Sequence, residues 1–272
     1  MMSDLLAPFD LTGRIALVTG GTGGIGRACV ERLASYGAKV ALTYVEGVEE
    51  PAVVRAGFAN LSVTLHPLDL RSAKSIRNCM ESVVDTHGRI DILVNNAAVG
   101  SATVEAWAKD PEIQDSLMLS INADGTLKMC QQFMALPPGR DRKLINISSV
   151  GGGIMAFPGF RLSDGMSKAA VAFMTRQLAA EAVHADVDVF AICPGATNTP
   201  MLQASTLSKL SSDELNGFIA NLPKGRLIEP QEIAAVVHFL ASPAARVLHG
   251  AVLDASMGLG VRPGLMSEHG NH

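Results

Sequence analysis

Thr19-Gly20-Gly21-Thr22-Gly23-Gly24-Ile25-Gly26 is the stretch on which the fold turns. An apolar run, Ile15-Ala16-Leu17-Val18, stands directly before it, and a long amphipathic segment follows Gly26. The run reads as a strand and the segment as a helix. Glycines between them let the backbone turn tightly and come close to a ligand. The start of the helix offers unpaired N–H groups and the positive end of its dipole, which suit phosphate. Glycines also serve ordinary turns, but the strand before this cluster and the helix after it favour a dinucleotide's pyrophosphate.

Working outward, the pattern repeats. Val40-Ala41-Leu42 and Val63-Thr64-Leu65 read as second and third strands. Ile92-Leu93-Val94, Leu144 to Ile147, Val187 to Ile192 and Ala251-Val252-Leu253 bring the number to seven. Amphipathic segments long enough to cross a sheet lie between them. Strand and helix in alternation imply a parallel sheet covered on both faces. Right-handed crossovers then give a Rossmann-type, doubly wound α/β/α sandwich of three layers. Residues 1–272 are read as one domain, without repeat or long linker. Pro137 to Arg142 reads as a turn between helix and strand, Pro8 to Thr12 as a lead-in, and Pro263 to His272 as a loose tail.

Composition narrows the partners. The chain is 48% hydrophobic and 18% charged, which suits one large core. Its net charge of −4 leaves no basic footprint for nucleic acid. No stretch is apolar enough for a membrane span, and no secretion signal is evident, so the expected location is cytoplasmic. Cys29, Cys79, Cys130 and Cys193 lack metal-ligand spacing and read as small buried hydrophobes. His269 and His272 read as part of a solvated end, and no metal site is expected.

Several motifs, in order along the chain, resemble the classical short-chain dehydrogenase/reductase family. They are Thr19-Gly-x-x-x-Gly-x-Gly26, Asp69-Leu70, Asn95-Asn96-Ala97-Ala98, Asn122 in Ile-Asn-Ala-Asp-Gly, and Ile147-Ser148-Ser149. Pro194-Gly195-Ala196-Thr197-Asn198-Thr199 and the stretch from Glu229 to Ser242 complete the set. The resemblance implies a nicotinamide coenzyme held by Gly20, Thr22, Gly24, Ile25, Gly26, Tyr44, Asp69, Leu70, Asn96, Ala97, Lys168, Pro194, Gly195, Thr197 and Thr199. It also implies hydride transfer to or from a small substrate, and a homodimer or homotetramer built on the helices from about Glu112 and about Asp164. The second strand ends Thr43-Tyr44-Val45, with no acid to repel a 2′-phosphate, so NADP(H) is the expected coenzyme and NAD(H) the alternative. The glycine loop carries Gly23 where NADPH-preferring members often have a basic residue. Residues 200–222 match the family's substrate lid. Its Met201, Leu202, Leu207, Leu210, Leu215 and Phe218 suit an apolar substrate, or simply pack the lid onto the core.

One position departs from the family. Asn122, Ser149 and Lys168 stand where its catalytic asparagine, serine and lysine stand, but Asp164 occupies the tyrosine position. The chain's two tyrosines, Tyr36 and Tyr44, are not placed to substitute. The Ser149–Asp164 interval also exceeds the family's usual spacing. An aspartate ordinarily titrates near pH 4, against about 10 for tyrosine, and Lys168 should push it further toward ionisation. Only burial in an apolar pocket would let it hold a proton.

Three chemistries stay open. In the first, a carbonyl or alcohol is turned over with improvised proton donation by Asp164, Lys168 or water. In the second, an iminium is reduced, its charge balanced by the carboxylate; a few tyrosine-less relatives in natural-product biosynthesis, including bifunctional reductase/Diels–Alderase types, share the substitution. In the third, the site is redox-silent, as a nucleotide-binding scaffold or a cyclase. Asp164 equally reads as a helix N-cap. Ser148 reads as a backbone partner, Arg161 and Lys128 as solvated cations, and Trp107, Met118, Met129 and Met134 as packing residues.

Overall fold

A computed structural model describes residues 9–261; the expected tail from Pro263, with His269 and His272, lies outside them. Seven strands form a single parallel sheet. They are β1 (Ile15–Val18), β2 (Lys39–Tyr44), β3 (Val63–Pro67), β4 (Ile92–Asn95), β5 (Arg142–Ile147), β6 (Val187–Pro194) and β7 (Val252–Ala255). Their order across the sheet is β3-β2-β1-β4-β5-β6-β7. The chain reverses its direction of winding between β1 and β4, and in a doubly wound sheet the crevice at that switch receives the ligand.

The helices are α1 (Gly24–Ser35), α2 (Pro51–Ala56), α3 (Ala73–His87), α4 (Ser101–Trp107), α5 (Pro111–Leu119) and α6 (Thr126–Ala135). Next come α7 (Leu162–Glu181), α8 (Pro200–Ser205), α9 (Ser212–Asn221) and α10 (Pro230–Ala241). Strand residues alternate between two cores. Ala16, Val18, Val40 and Leu42 face one, with Leu33 of α1 and Ile233 and Val237 of α10. Leu17, Ala41 and Leu93 face the other, with Met80 of α3, Phe133 of α6 and Val171 of α7. Helices on both faces explain why the strands read as continuous apolar runs. The four cysteines are free and buried, as expected. Met118 and Met129 are core residues.

Strand β5 begins earlier than its apolar run suggests. Arg142 is in the strand and not in the preceding turn, and both Arg142 and Lys143 are buried. The Lys143 ammonium lies 2.6 Å from Asp141 and 2.5 Å from Asp188. Arg142 donates to the Phe133 carbonyl and sits over that residue's ring. Two cations therefore enter a buried strand because each has partners waiting.

Candidate active site

The glycine loop is held by its neighbours. Gly20 N–H donates to Thr43 Oγ1 at 3.0 Å. Asn96 Nδ2 donates to the carbonyls of Thr19 and Gly20, and Asn96 N and Ala97 N both donate to Thr19 Oγ1. Helix α1 starts at Gly24, three residues before the sequence suggests, and its N-cap, Gly23, supplies no side-chain cap. The first N–H groups of α1 thus face outward without a side chain over them. A Cβ on Gly26 would sit 2.1 Å from the Gly20 carbonyl, so only glycine lets helix and loop close this tightly. Ile25 packs partly into the core. The cradle therefore fits a pyrophosphate.

Beside it, over the ends of β1 to β4, lies a cavity of about 580 Å³ lined by Gly20, Tyr44, Asp69, Leu70 and Ala97 among others. Thr22 lies on the loop, and Gly24 and Gly26 in the first turn of α1, outside the lining of this cavity. Trp107, read as a packing residue, is instead about half exposed and lines the cavity, with the Arg71 guanidinium 5.4 Å from its ring centre. Arg71 also grips Asp69 through both carboxylate oxygens. Thr19, Thr43, Glu49 and Arg71 were not singled out from the sequence. Thr19 and Thr43 act through bonds between neighbouring strand ends, and Glu49 and Arg71 through bonds inside the loops after β2 and β3, none of which motif spacing encodes.

Past β6, Thr197 Oγ1 donates to the Gly195 carbonyl, and Gly195 lies against Ser256. Pro194 ends β6. Thr199 caps α8, accepting from Leu202 N–H, and a Cβ on Gly24 would come within 3.2 Å of the Thr199 methyl. The lid, residues 200–222, is α8, a 3₁₀ turn (Leu207–Lys209) and α9. Leu207 is buried and Met201 half-exposed, so the lid's apolar residues divide between packing and an open face.

The catalytic candidates come from three elements. Asn122 lies in a π-helix, Ser120–Gly125, that widens the chain between α5 and α6. Its side chain accepts from Val99 N–H at 2.8 Å and donates back to Val99 C=O at 3.0 Å, tying this turn to the loop after β4. Such π turns recur at functional sites. Ser149 heads a short helical turn, Val150–Gly153, and its Oγ accepts from Gly151 N–H. Ser148 Oγ donates to the Lys168 carbonyl at 2.8 Å, the backbone role expected of it. Gly152 meets Gly165 backbone to backbone, which brings the segment after Ser149 against the first turn of α7.

Asp164 is in that first turn, but Arg161 holds the N-cap position, and no side chain caps the helix. The capping reading of Asp164 is therefore corrected. Arg161 and Ser163 both bond to Asp115 Oδ1, and Arg161 also reaches Gln114. Lys128 pairs with Asp124 on the surface. Asp164 Oδ1 is buried without a hydrogen-bond partner. Burial pushes its carboxyl above the ordinary carboxylate range, outweighing the pull of Lys168 and Arg161. The expectation that Lys168 dominates is thus reversed. Burial likewise pulls the Lys168 ammonium below its ordinary value, against the attraction of Asp164. The long Ser149–Asp164 interval is taken up by a turn whose Phe157 and Phe160 rings meet edge to face at 6.5 Å, with Phe160 lying against Gly151 and Gly165.

Residues 20–260 match the family model described as enoyl-(acyl carrier protein) reductase. The chain is 31% identical over 251 residues to 3-oxoacyl-[acyl-carrier-protein] reductase FabG of Vibrio cholerae, covering 92% of this chain and 98% of that protein. The structure of Pseudomonas aeruginosa RhlG with NADP superposes with a TM-score of 0.81 at 30% identity, over 93% of this chain and 98% of that one. The 3-oxoacyl-[acyl-carrier protein] reductase of Brucella melitensis with NAD gives 0.78 at 30% identity, over 91% and 97%. With the glycine cradle, the strand order and these likenesses in agreement, the chain belongs to the short-chain dehydrogenase/reductase family of oxidoreductases.

Proposed function

We propose that this chain moves hydride between a nicotinamide coenzyme and a carbonyl or imine carbon, with Asp164 meeting the substrate heteroatom. The observation that carries this reading is Asp164 Oδ1, enclosed and unpartnered one helical turn before Lys168. A buried polar atom without a partner costs about 1–3 kcal/mol. A substrate O–H or N–H, or a cationic carbon–nitrogen bond, removes that cost on binding. The nicotinamide, when bound, supplies or takes up the hydride. Everything else falls to the chain. Burial raises the affinity of the Asp164 carboxyl for its proton and lowers that of the Lys168 ammonium, each against the attraction of the other. In carbonyl reduction Asp164 gives that proton to the oxygen as hydride reaches the carbon, and Lys168 restores it. Ser149, whose Oγ already accepts from Gly151 N–H, has its hydroxyl proton free to bond the substrate oxygen.

A second reading has its own support. The Phe157–Phe160 pair beside Gly151 and Gly165, together with an ionised Asp164, makes surroundings suited to a cation. An iminium would receive hydride there with no proton needed in the same step. Deuterium-labelled reduced coenzyme offered with ketones, imines and alcohols decides among these. Label in an alcohol product supports the first reading, and label in amines alone supports the second. No label in any product, with coenzyme bound, leaves a scaffold or cyclase and overturns the proposal.

A further inference from the structure

We infer that Glu49 selects the coenzyme, and that the chain takes NAD(H) in preference to NADP(H). This rests on the oxidoreductase reading above and names the coenzyme of that same site. The strand end Thr43-Tyr44-Val45 contains no acid, which by sequence alone favours the phosphorylated coenzyme. The fold returns an acid to that place. After β2 the chain doubles back, with Val48 and Glu49 N–H both donating to the Val45 carbonyl. Glu49 Oε2 in turn accepts from Val45 N–H at 2.8 Å. The carboxylate is thereby fixed at the tip of β2, on the wall of the 580 Å³ cavity that also includes Gly20, Thr43 and Tyr44. In a doubly wound sheet the adenosine ribose lies over the tip of β2. One carboxylate oxygen is engaged by Val45, and the other has lone pairs to accept a ribose hydroxyl.

Among the described residues that line the cavity, no free cation offsets this carboxylate. The charged residues lining the cavity are Glu49, Asp69 and Arg71. Arg71 is engaged bidentately by Asp69 and lies over Trp107. Arg27, on the nearby first turn of α1, is directed to Glu31 and to the Gly57 carbonyl. Position 23, in the loop itself, is glycine. A 2′-phosphate entering here would bring its negative charge to Glu49 and find no unpaired guanidinium among the cavity residues.

Calorimetric titration of the full chain with NADH and NADPH tests the inference without any substrate. Wild type should bind NADH tighter by on the order of tenfold, since like charges a few ångströms apart at a surface are worth about that factor. Glu49→Gln keeps the shape and removes the charge, and it should narrow the ratio mainly by improving NADPH binding. Glu49→Arg should invert it. Melting curves for both variants establish that they are folded. Equal or tighter NADPH binding by wild type overturns the inference, as does an NADH preference unchanged in both variants. Binding of neither dinucleotide overturns the oxidoreductase reading itself, and this inference with it.

Discussion

At the scale of single residues, Asp164 determines how activity depends on pH. If it donates to a carbonyl, turnover should fall as pH rises through its elevated titration. If it balances an iminium as an anion, turnover should fall as pH drops through the same range. Initial rates from pH 5 to 9 on a ketone and on a cyclic imine separate the two. Stability carries the same sign as the first case. A carboxyl raised by burial binds its proton more tightly in the folded state, so its contribution is lost as pH rises from the ordinary carboxylate range through the elevated one. Asp164→Asn should therefore gain melting temperature over wild type, and the gain should be larger at pH 8 than at pH 5; a pH-independent difference would contradict the buried-carboxyl account. Asp164→Tyr should raise carbonyl reduction by about a hundredfold, the low end of what a positioned general acid contributes. No gain there, with imine turnover lost, would show the carboxylate to be the working group. That an aspartate stands four positions before Lys168, where the resemblance leads one to expect a tyrosine, was legible from spacing. The direction of its titration was not, because burial comes from the tertiary packing around Asp164 and not from the three residues between Asp164 and Lys168.

Among the elements, β1 and α1 were legible nearly to the residue, since apolar run, glycines and amphipathic helix all agree. The start of β5 was not. Arg142-Lys143 looks like the end of a turn until Asp188 and Phe133 are brought around it from two other parts of the chain, beside the adjacent Asp141. Removing Lys143 should expose how much depends on that arrangement. Lys143→Ala leaves two carboxylates facing one another at the base of the sheet and should cost about 3–5 kcal/mol in urea unfolding. A loss below about 1 kcal/mol would mean water or Arg14 and Arg246, which also reach Asp141, take over the role. The loop between β1 and α1 is equally specific. Gly26→Ala forces its methyl into the Gly20 carbonyl, and the resulting shift of the cradle should lower turnover in steady-state assays by about a hundredfold, the rate penalty a displacement of about 1 Å carries.

For the molecule as a whole, the family resemblance leads us to expect self-association through α5 and α7. Ile113, Leu162, Met166 and Phe173 lie on those elements as large, exposed apolar side chains, a face that single soluble chains seldom leave uncovered. Light scattering should give a mass two or four times that of the chain, and Phe173→Glu should lower it; a monomeric wild type would remove this expectation. The parallel, doubly wound sheet of seven strands was legible at this scale because alternation and handedness leave few options. The turn that carries Glu49 back to β2 was not, since it depends on a few backbone bonds. The contact between Gly152 and Gly165 has a consequence of its own. The two strips of polypeptide that present the reacting groups rest against each other through bare main chain, so their alignment owes nothing to whichever side chain occupies position 164. A phenol or an acid can therefore stand there on the same architecture, so that form at this place is settled apart from reactivity.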